Sequence, residues 1–228
     1  MEYSRKAPSA NPEANSLSQL SIAKKIKFLK YHFDKIEAVF EEERKQYIQA
    51  DKIEQERTKN DEDDHNYNYE YSQALREIEM VYLRMHRYTA ILTLYSYLED
   101  TLNQICDISK KNLVIEKSYK NFKGSGIKRA KEYLKKEINV DFTCVNSEWS
   151  ALSILNELRN CIMHGNGNLL YDEHKERGFK VIVNNYNYFE EIEGRFVFFS
   201  SEYVRKMFNN VECFLTYLLN PKLVGVNR

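Results

Sequence analysis

Chain breakers are scarce in this sequence. With 7 Gly and 3 Pro in 228 residues, it lacks the turn residues that a many-stranded fold needs between its strands, so helices should dominate. No apolar run is long enough to cross a bilayer: the longest, Ala90 to Leu98, is interrupted by Thr93, Tyr95, Ser96 and Tyr97. The four cysteines, Cys106, Cys144, Cys161 and Cys213, include no CxxC pair. That argues against a zinc site and against a disulfide framework, and the thiols are expected to be reduced and partly buried. An excess of one charge is missing as well. The 34 Lys and Arg balance 34 Asp and Glu, so no overall field draws the chain to nucleic acid or to an anionic membrane, and any polyanion contact must be local. The first fifteen residues contain no apolar run and no recognisable signal peptide, which makes the cytoplasm the expected location.

What is present suffices for one sizeable core. A hydrophobic fraction of 43% with 30% charged residues is globular, and one domain over residues 16–220 is expected, flanked by a disordered tail at 1–15 and a short tail at 221–228. From Ser16 onward, Ile22, Ile26, Leu29, Phe33, Ile36, Phe40 and Tyr47 recur at helical spacing, while Lys24, Lys25, Lys27, Lys30 and Lys35 mark the opposite, solvated face. The stretch Glu54 to Asn68 is nearly all charged or Asn and predicts an exposed connection; His65 sits there beside carboxylates without ligand spacing. Periodicity resumes with Tyr71, Leu75, Ile78, Tyr82, Met85, Thr89, Leu92, Ser96, Glu99 and Asn103, flanked by Val81, Ile91, Leu94, Leu98, Leu102 and Ile105. So wide an apolar face predicts a central helix, forming a long helical hairpin with the first.

Between Lys117 and Lys136 the chain turns basic, with Lys117, Lys120, Lys123, Lys128, Arg129, Lys131, Lys135 and Lys136 against the single acid Glu132. Gly124-Ser125-Gly126 divides it into a loop and a short helix. Two readings carry equal weight: a local phosphate-contacting patch, with Lys123, Lys128, Arg129 and Lys131 as candidate contacts, or a solvated lysine-rich helix. A further helix is expected from Ser147, as cap, through Trp149, Leu152, Leu155 and Ile162. It should end at His164-Gly165-Asn166-Gly167, residues that tolerate a left-handed cap. Alternation over Phe179 to Val183 and over Arg195 to Phe199, with a turn near Gly194, predicts a two-stranded hairpin within residues 179–200. A last helix runs from Ser201 to Leu218, before Pro221. The expected fold is mainly α: an elaborated four-helix up-and-down bundle with a small β-hairpin ahead of its last helix.

One constellation carries chemistry. Arg159-Asn160-x-x-x-His164 gathers a guanidinium, an amide and an imidazole at the end of an apolar helix. Asn160 and His164 stand at i and i+4, where the amide can orient the imidazole. Arg159 follows Leu152 by seven residues and Leu155 by four, so it should project from the buried stripe and need an acceptor. Glu99 is the expected internal partner and a phosphate the external one, since the planar fork of Arg suits both. An imidazole can exchange a proton at cellular pH. Together, a base for a ribose 2′-OH and a cation for the phosphoryl oxygens are enough to cleave RNA without a metal.

This segment resembles the R-x4-6-H signature of the HEPN ribonuclease family, in its R-N-x-x-x-H form and at the end of the third helix of a four-helix bundle. The resemblance implies a metal-independent endoribonuclease without cofactor. Its expected products are a 2′,3′-cyclic phosphate and a 5′-hydroxyl. It implies a homodimer with a composite cleft in which the second His164 supplies the acid, and a toxin or anti-phage role restrained by an antitoxin or other regulatory protein. Arg159, Asn160, His164 and Glu99 are the catalytic candidates; no metal ligands and no membrane contact are expected. One subgroup of the family carries a tyrosine two residues after the histidine, where this chain has Asn166, so that subgroup's regulation is not expected. The alternative is a catalytically silent helical module of the same fold that binds a protein partner or a nucleotide. His32, His86 and His174 and the many tyrosines read as surface or packing residues.

Overall fold

A computed structural model describes residues 12–58, 72–169, 189–192 and 196–220 of the chain, with side chains from residue 20 onward except at 189–192. The described chain is mainly helical. Helix α1 spans Pro12–Thr58; α2, Arg84–Asn112, follows directly on a π-helical turn, Ile78–Leu83, and on helical residues 72–77. A 3₁₀ turn, Tyr119–Asn121, precedes the short α3, Gly126–Lys136. Another, Thr143–Val145, leads into α4, Asn146–Gly165. Strands β1, Phe189–Ile192, and β2, Phe196–Phe199, precede α5, Ser201–Leu218. No helix among the described residues is long and apolar enough to cross a membrane.

Several boundaries differ from expectation for local reasons. Helix α1 begins at Pro12, four residues ahead of Ser16 and inside the expected tail; proline is at home in a first helical turn, where its missing N–H costs nothing. At its other end α1 continues to Thr58, into the first residues of the charged stretch assigned to a connection, because Glu, Gln and Arg are good helix formers when exposed. Ser147 lies inside α4, its hydroxyl 2.8 Å from Glu148 Oε2, and so does not cap it. The strand paired with β2 is Phe189–Ile192, nearer in sequence than Phe179 to Val183, in antiparallel register with Phe189 opposite Phe199 and Ile192 opposite Phe196. Only residues 193–195 separate the two strands, a usual hairpin length. The acidic run around His65, the loop with His174, residues 179–183 and the two termini lie outside the described residues.

The expected stripe of the second helix also changes. Ile78 is buried, but the next buried position is Leu83, five residues on, while Tyr82 and Met85 stand 47% and 59% exposed. A π turn bonds i to i+5 and inserts one residue, rotating everything after it by about 100°. Downstream, the buried line is Tyr88, Ile91, Leu94, Tyr95, Leu98, Leu102, Ile105 and Cys106. From Ile91 on, the flanking stripe of the sequence is thus the core stripe, whereas its first member, Val81, is exposed, and Thr89 and Ser96 face solvent.

The chain forms two compact units, Met1–Lys27 with Leu94–Asn156 and Met207–Arg228, and Phe28–Thr93 with Glu157–Lys206; α1, α2, α4 and α5 contribute to both. In the first, Phe142 and Trp149 flank Phe214 at 6.1 and 5.8 Å between ring centroids. The second is organised around a buried ion pair. Arg87 donates from Nε to Glu37 Oε1 at 3.1 Å, from Nη2 to the same carboxylate, and from Nη1 to the carbonyl of Phe199 at 3.1 Å. One guanidinium thereby joins α1, α2 and β2, and each of its bonds satisfies a group that burial would otherwise leave unpaired.

Candidate active site

Helix α4 carries the Arg-Asn-His segment. Its buried line is Leu152, Leu155, Leu158, Cys161 and Ile162, at the three- and four-residue steps of one helical face. Each fully buried Leu contributes roughly 1.5–3 kcal/mol relative to exposure, which fixes the rotation of the helix. Arg159 and Asn160 fall at the margin of that face and are half-buried; His164, one turn on, is exposed.

The polar contacts differ from the expected ones. Arg159 Nη1 donates to Asn160 Oδ1 at 2.9 Å, so the amide oxygen serves the guanidinium and does not orient the imidazole. A bond to a cation is about twice as strong as one to a neutral donor. The long arginine stem lets neighbours in sequence meet where short side chains would diverge. Among the described residues nothing hydrogen-bonds the His164 imidazole, which is exposed.

The helix ends as its sequence requires. Asn166 and Gly167 adopt φ of 51° and 78°, the left-handed region, and their amides donate back to Ile162 and Cys161 carbonyls at 2.9 and 3.1 Å. That satisfies two of the carbonyls a helix end leaves orphaned. The turn is then pinned from two sides. The Tyr88 ring lies so close beneath Gly167 that a Cβ there would stand 2.5 Å from Tyr88 Cζ. Tyr88 Oη donates to the Val197 carbonyl at 2.5 Å, and Val197 N donates to the Gly167 carbonyl at 3.0 Å. Cys161 Sγ reaches the Asn168 carbonyl at 3.6 Å. The hairpin, which the sequence left without a role, thus holds the turn just after His164. Tyr88 and Gly167 escaped sequence reading because a tyrosine in an apolar stripe reads as packing and Gly167 as a cap alone.

Glu99 belongs to the first unit, whereas Arg159, Asn160 and His164 belong to the second; the expected pairing of Glu99 with Arg159 would join residues of different units. Within its own unit, Glu99 sits at the N-terminal end of α3. A Cβ on Gly126, which has φ of +56°, would stand 3.5 Å from Glu99 Oε1 and 2.6 Å from Tyr95 Oη. Tyr95 in turn donates to Asn156 Oδ1 at 2.6 Å. A carboxylate beside a helix N-terminus is favourable in its own right.

The basic stretch divides. Lys131 lies 4.0 Å over the Trp149 ring and 5.2 Å over Phe142, and Arg129 lies 5.5 Å over Tyr119. Burial, with Lys135 nearby, holds the Lys131 ammonium below the usual lysine range. Two of the four candidate RNA contacts therefore rest on aromatic faces of the protein itself, while Lys123 and Lys128 are exposed. Comparison with protein-family models, curated proteins and solved structures finds no match to this chain, so the reading of the site rests on its own residues.

Proposed function

We propose that this chain is a metal-independent endoribonuclease of the HEPN type. The observation that carries the reading is the end of α4: a half-buried guanidinium tethered to Asn160 and, five residues on, an exposed imidazole with no hydrogen bond among the described residues, on a backbone pinned by Tyr88 and β2. A fixed cation and a free base at this spacing supply the two functions RNA cleavage needs. His164 takes the 2′-OH proton as the oxygen attacks phosphorus, and Arg159 binds the phosphoryl oxygens as charge builds. The second proton, for the leaving 5′-oxygen, comes from His164 of a second copy, which makes the working form a homodimer around a four-helix bundle. A cytoplasmic toxin or anti-phage effector, checked by a partner protein, is the role such an activity suits.

The test is incubation of the purified chain with total RNA in EDTA, beside Arg159→Ala and His164→Ala. Cleavage leaving 2′,3′-cyclic phosphate ends, lost in both variants, is the expected result. Cleavage unchanged by both substitutions would remove the site, and cleavage abolished by EDTA would remove the metal-free chemistry.

A further inference from the structure

The first unit contains an open cavity of about 700 Å³ whose lining includes Lys117, Lys123, Lys136, Phe122, Glu116 and Glu132. That volume lies within the range of small-ligand sites. Its aromatic wall is built to stay in place. Asn121 Oδ1 accepts from Ser118 N at 2.8 Å while Ser118 Oγ accepts from Lys120 N at 3.4 Å. Phe122 N closes the 3₁₀ turn onto the Tyr119 carbonyl at 3.1 Å. The Phe122 ring meets Tyr133 edge to face, 5.6 Å between centroids. Tyr133 is fully buried, so Phe122 is braced from behind while it remains half-exposed at the cavity.

The charges around that ring are unevenly committed. Lys123 is exposed and forms no ion pair among the described residues. Lys136 pairs with Glu132 at 2.9 Å and Lys117 with Glu137 at 3.1 Å, but the lysine side chains are 63% and 66% exposed. Such solvent-facing pairs are weak and exchange readily for a stronger anion. A phosphate group can therefore take Lys123 directly and draw Lys117 and Lys136 from their carboxylates. Glu116 and Glu132 remain in the wall and repel further negative charge, which favours one phosphate over several.

We propose that this cavity binds a nucleoside monophosphate unit, its base stacked on Phe122 and its phosphate on Lys123 with Lys117 and Lys136. The same chemistry is offered by a free nucleotide and by one residue of single-stranded RNA. This inference stands apart from the ribonuclease reading, since none of its residues belongs to the Arg159–His164 segment.

Titration calorimetry of the full chain with AMP, adenosine, inorganic phosphate and a short single-stranded oligoadenylate tests it, in wild type, Lys123→Ala, Phe122→Leu and His164→Ala. The expected result is AMP binding at least about tenfold tighter than adenosine or phosphate. Phe122→Leu should weaken it about tenfold, since stacking on an aromatic face is lost. Lys123→Ala should weaken it similarly and flatten its salt dependence. His164→Ala should bind AMP as wild type does, whether or not it cleaves RNA. Tight oligoadenylate binding with the same variant pattern, but no AMP binding, assigns the site to a strand and supports the proposal equally. Absence of binding by both AMP and oligoadenylate, or binding indifferent to Phe122→Leu and Lys123→Ala, overturns it.

Discussion

Arg159 Nη1 lies 2.9 Å from Oδ1 of Asn160, its immediate neighbour in the chain. The bond ties the guanidinium to the helix that carries it, and a planar fork donates in more than one direction. In the proposed cleavage, Arg159→Ala should lower the single-turnover rate on a fluorescent RNA by about 10²–10³, the usual cost of a lost oxyanion donor. Arg159→Lys should recover little of it, because an ammonium cannot hold Asn160 and a phosphate in one plane. Asn160→Ala, which frees the fork without removing its charge, should cost about tenfold. Wild-type rates in Arg159→Lys would show that the fork has no part in the reaction.

Gly167 bears on stability in a way that can be measured directly. Its φ of +78° and the Tyr88 ring beneath it leave no space for a methyl group. Gly167→Ala should destabilise the chain by more than about 2 kcal/mol in urea unfolding, combining left-handed strain with a clash against a packed ring. Tyr88→Phe should cost only about 1 kcal/mol, for the lost bond to the Val197 carbonyl. A Gly167→Ala variant as stable as wild type would mean that the turn is not held as described.

The Glu37–Arg87 pair should be far more sensitive to halving than to removal. Glu37→Gln strands a buried guanidinium and should cost about 3–5 kcal/mol. Replacing both partners with apolar residues of similar volume should cost less than Glu37→Gln alone. Thermal melts of the three proteins compare them.

His86 gives stability a pH dependence. Its Nε2–H donates to the Phe33 carbonyl at 3.2 Å and its ring stacks on Phe33 at 4.9 Å. Burial pushes the imidazole below its ordinary 6.5, with Arg87 and His32 adding to the effect and Glu37 and the Phe33 carbonyl opposing it. A lowered pKa means that the unfolded chain binds the proton first. The contribution is therefore complete above the unfolded value and declines as pH falls through 6.5 toward the folded value. Urea unfolding should give stability that falls on acidification through this window, with a shallower fall in His86→Gln, which keeps an N–H donor but does not titrate. Equal slopes in the two proteins would exclude His86 as the source.

Among the thiols, Cys106 and Cys161 are buried, each with its pKa pushed up to about 12, chiefly by burial, while Cys144 and Cys213 are exposed. Iodoacetamide on the native protein, read by peptide mass spectrometry, should modify Cys144 and Cys213 and reach the other pair only after denaturation. Rapid native labelling of Cys161 would mean that the end of α4 opens readily.

Helix type and placement were legible in the sequence wherever a stripe ran without interruption, as along Ile22, Ile26 and Phe33 or over Leu152 and Leu155. The left-handed end at Asn166 and Gly167 was legible too, because few residues accept that backbone. Contacts between distant segments were not. Glu37 sits in the apolar stripe of α1 as an apparent exception, and its reason, Arg87, lies 50 positions away. The destination of the Asn160 amide depended on a flexible arginine stem, which spacing rules for short side chains do not capture. The division of the basic stretch between Lys123 at a cavity and Lys131 on Trp149 needed the fold of the loop before α3, since charge along a sequence does not tell which side of a wall it lines.

The additional residue in the turn Ile78–Leu83 sets the phase of the long helix that follows. Were those residues to wind as regular α-helix with nothing removed, everything after them would turn by about 100°, carrying Met85 and Thr89 toward the interior and swinging Arg87 and Tyr88 away from Glu37 and Val197. A change of winding remote from His164 in sequence would in that way release both the ion pair of the second unit and the tyrosine that supports the end of α4.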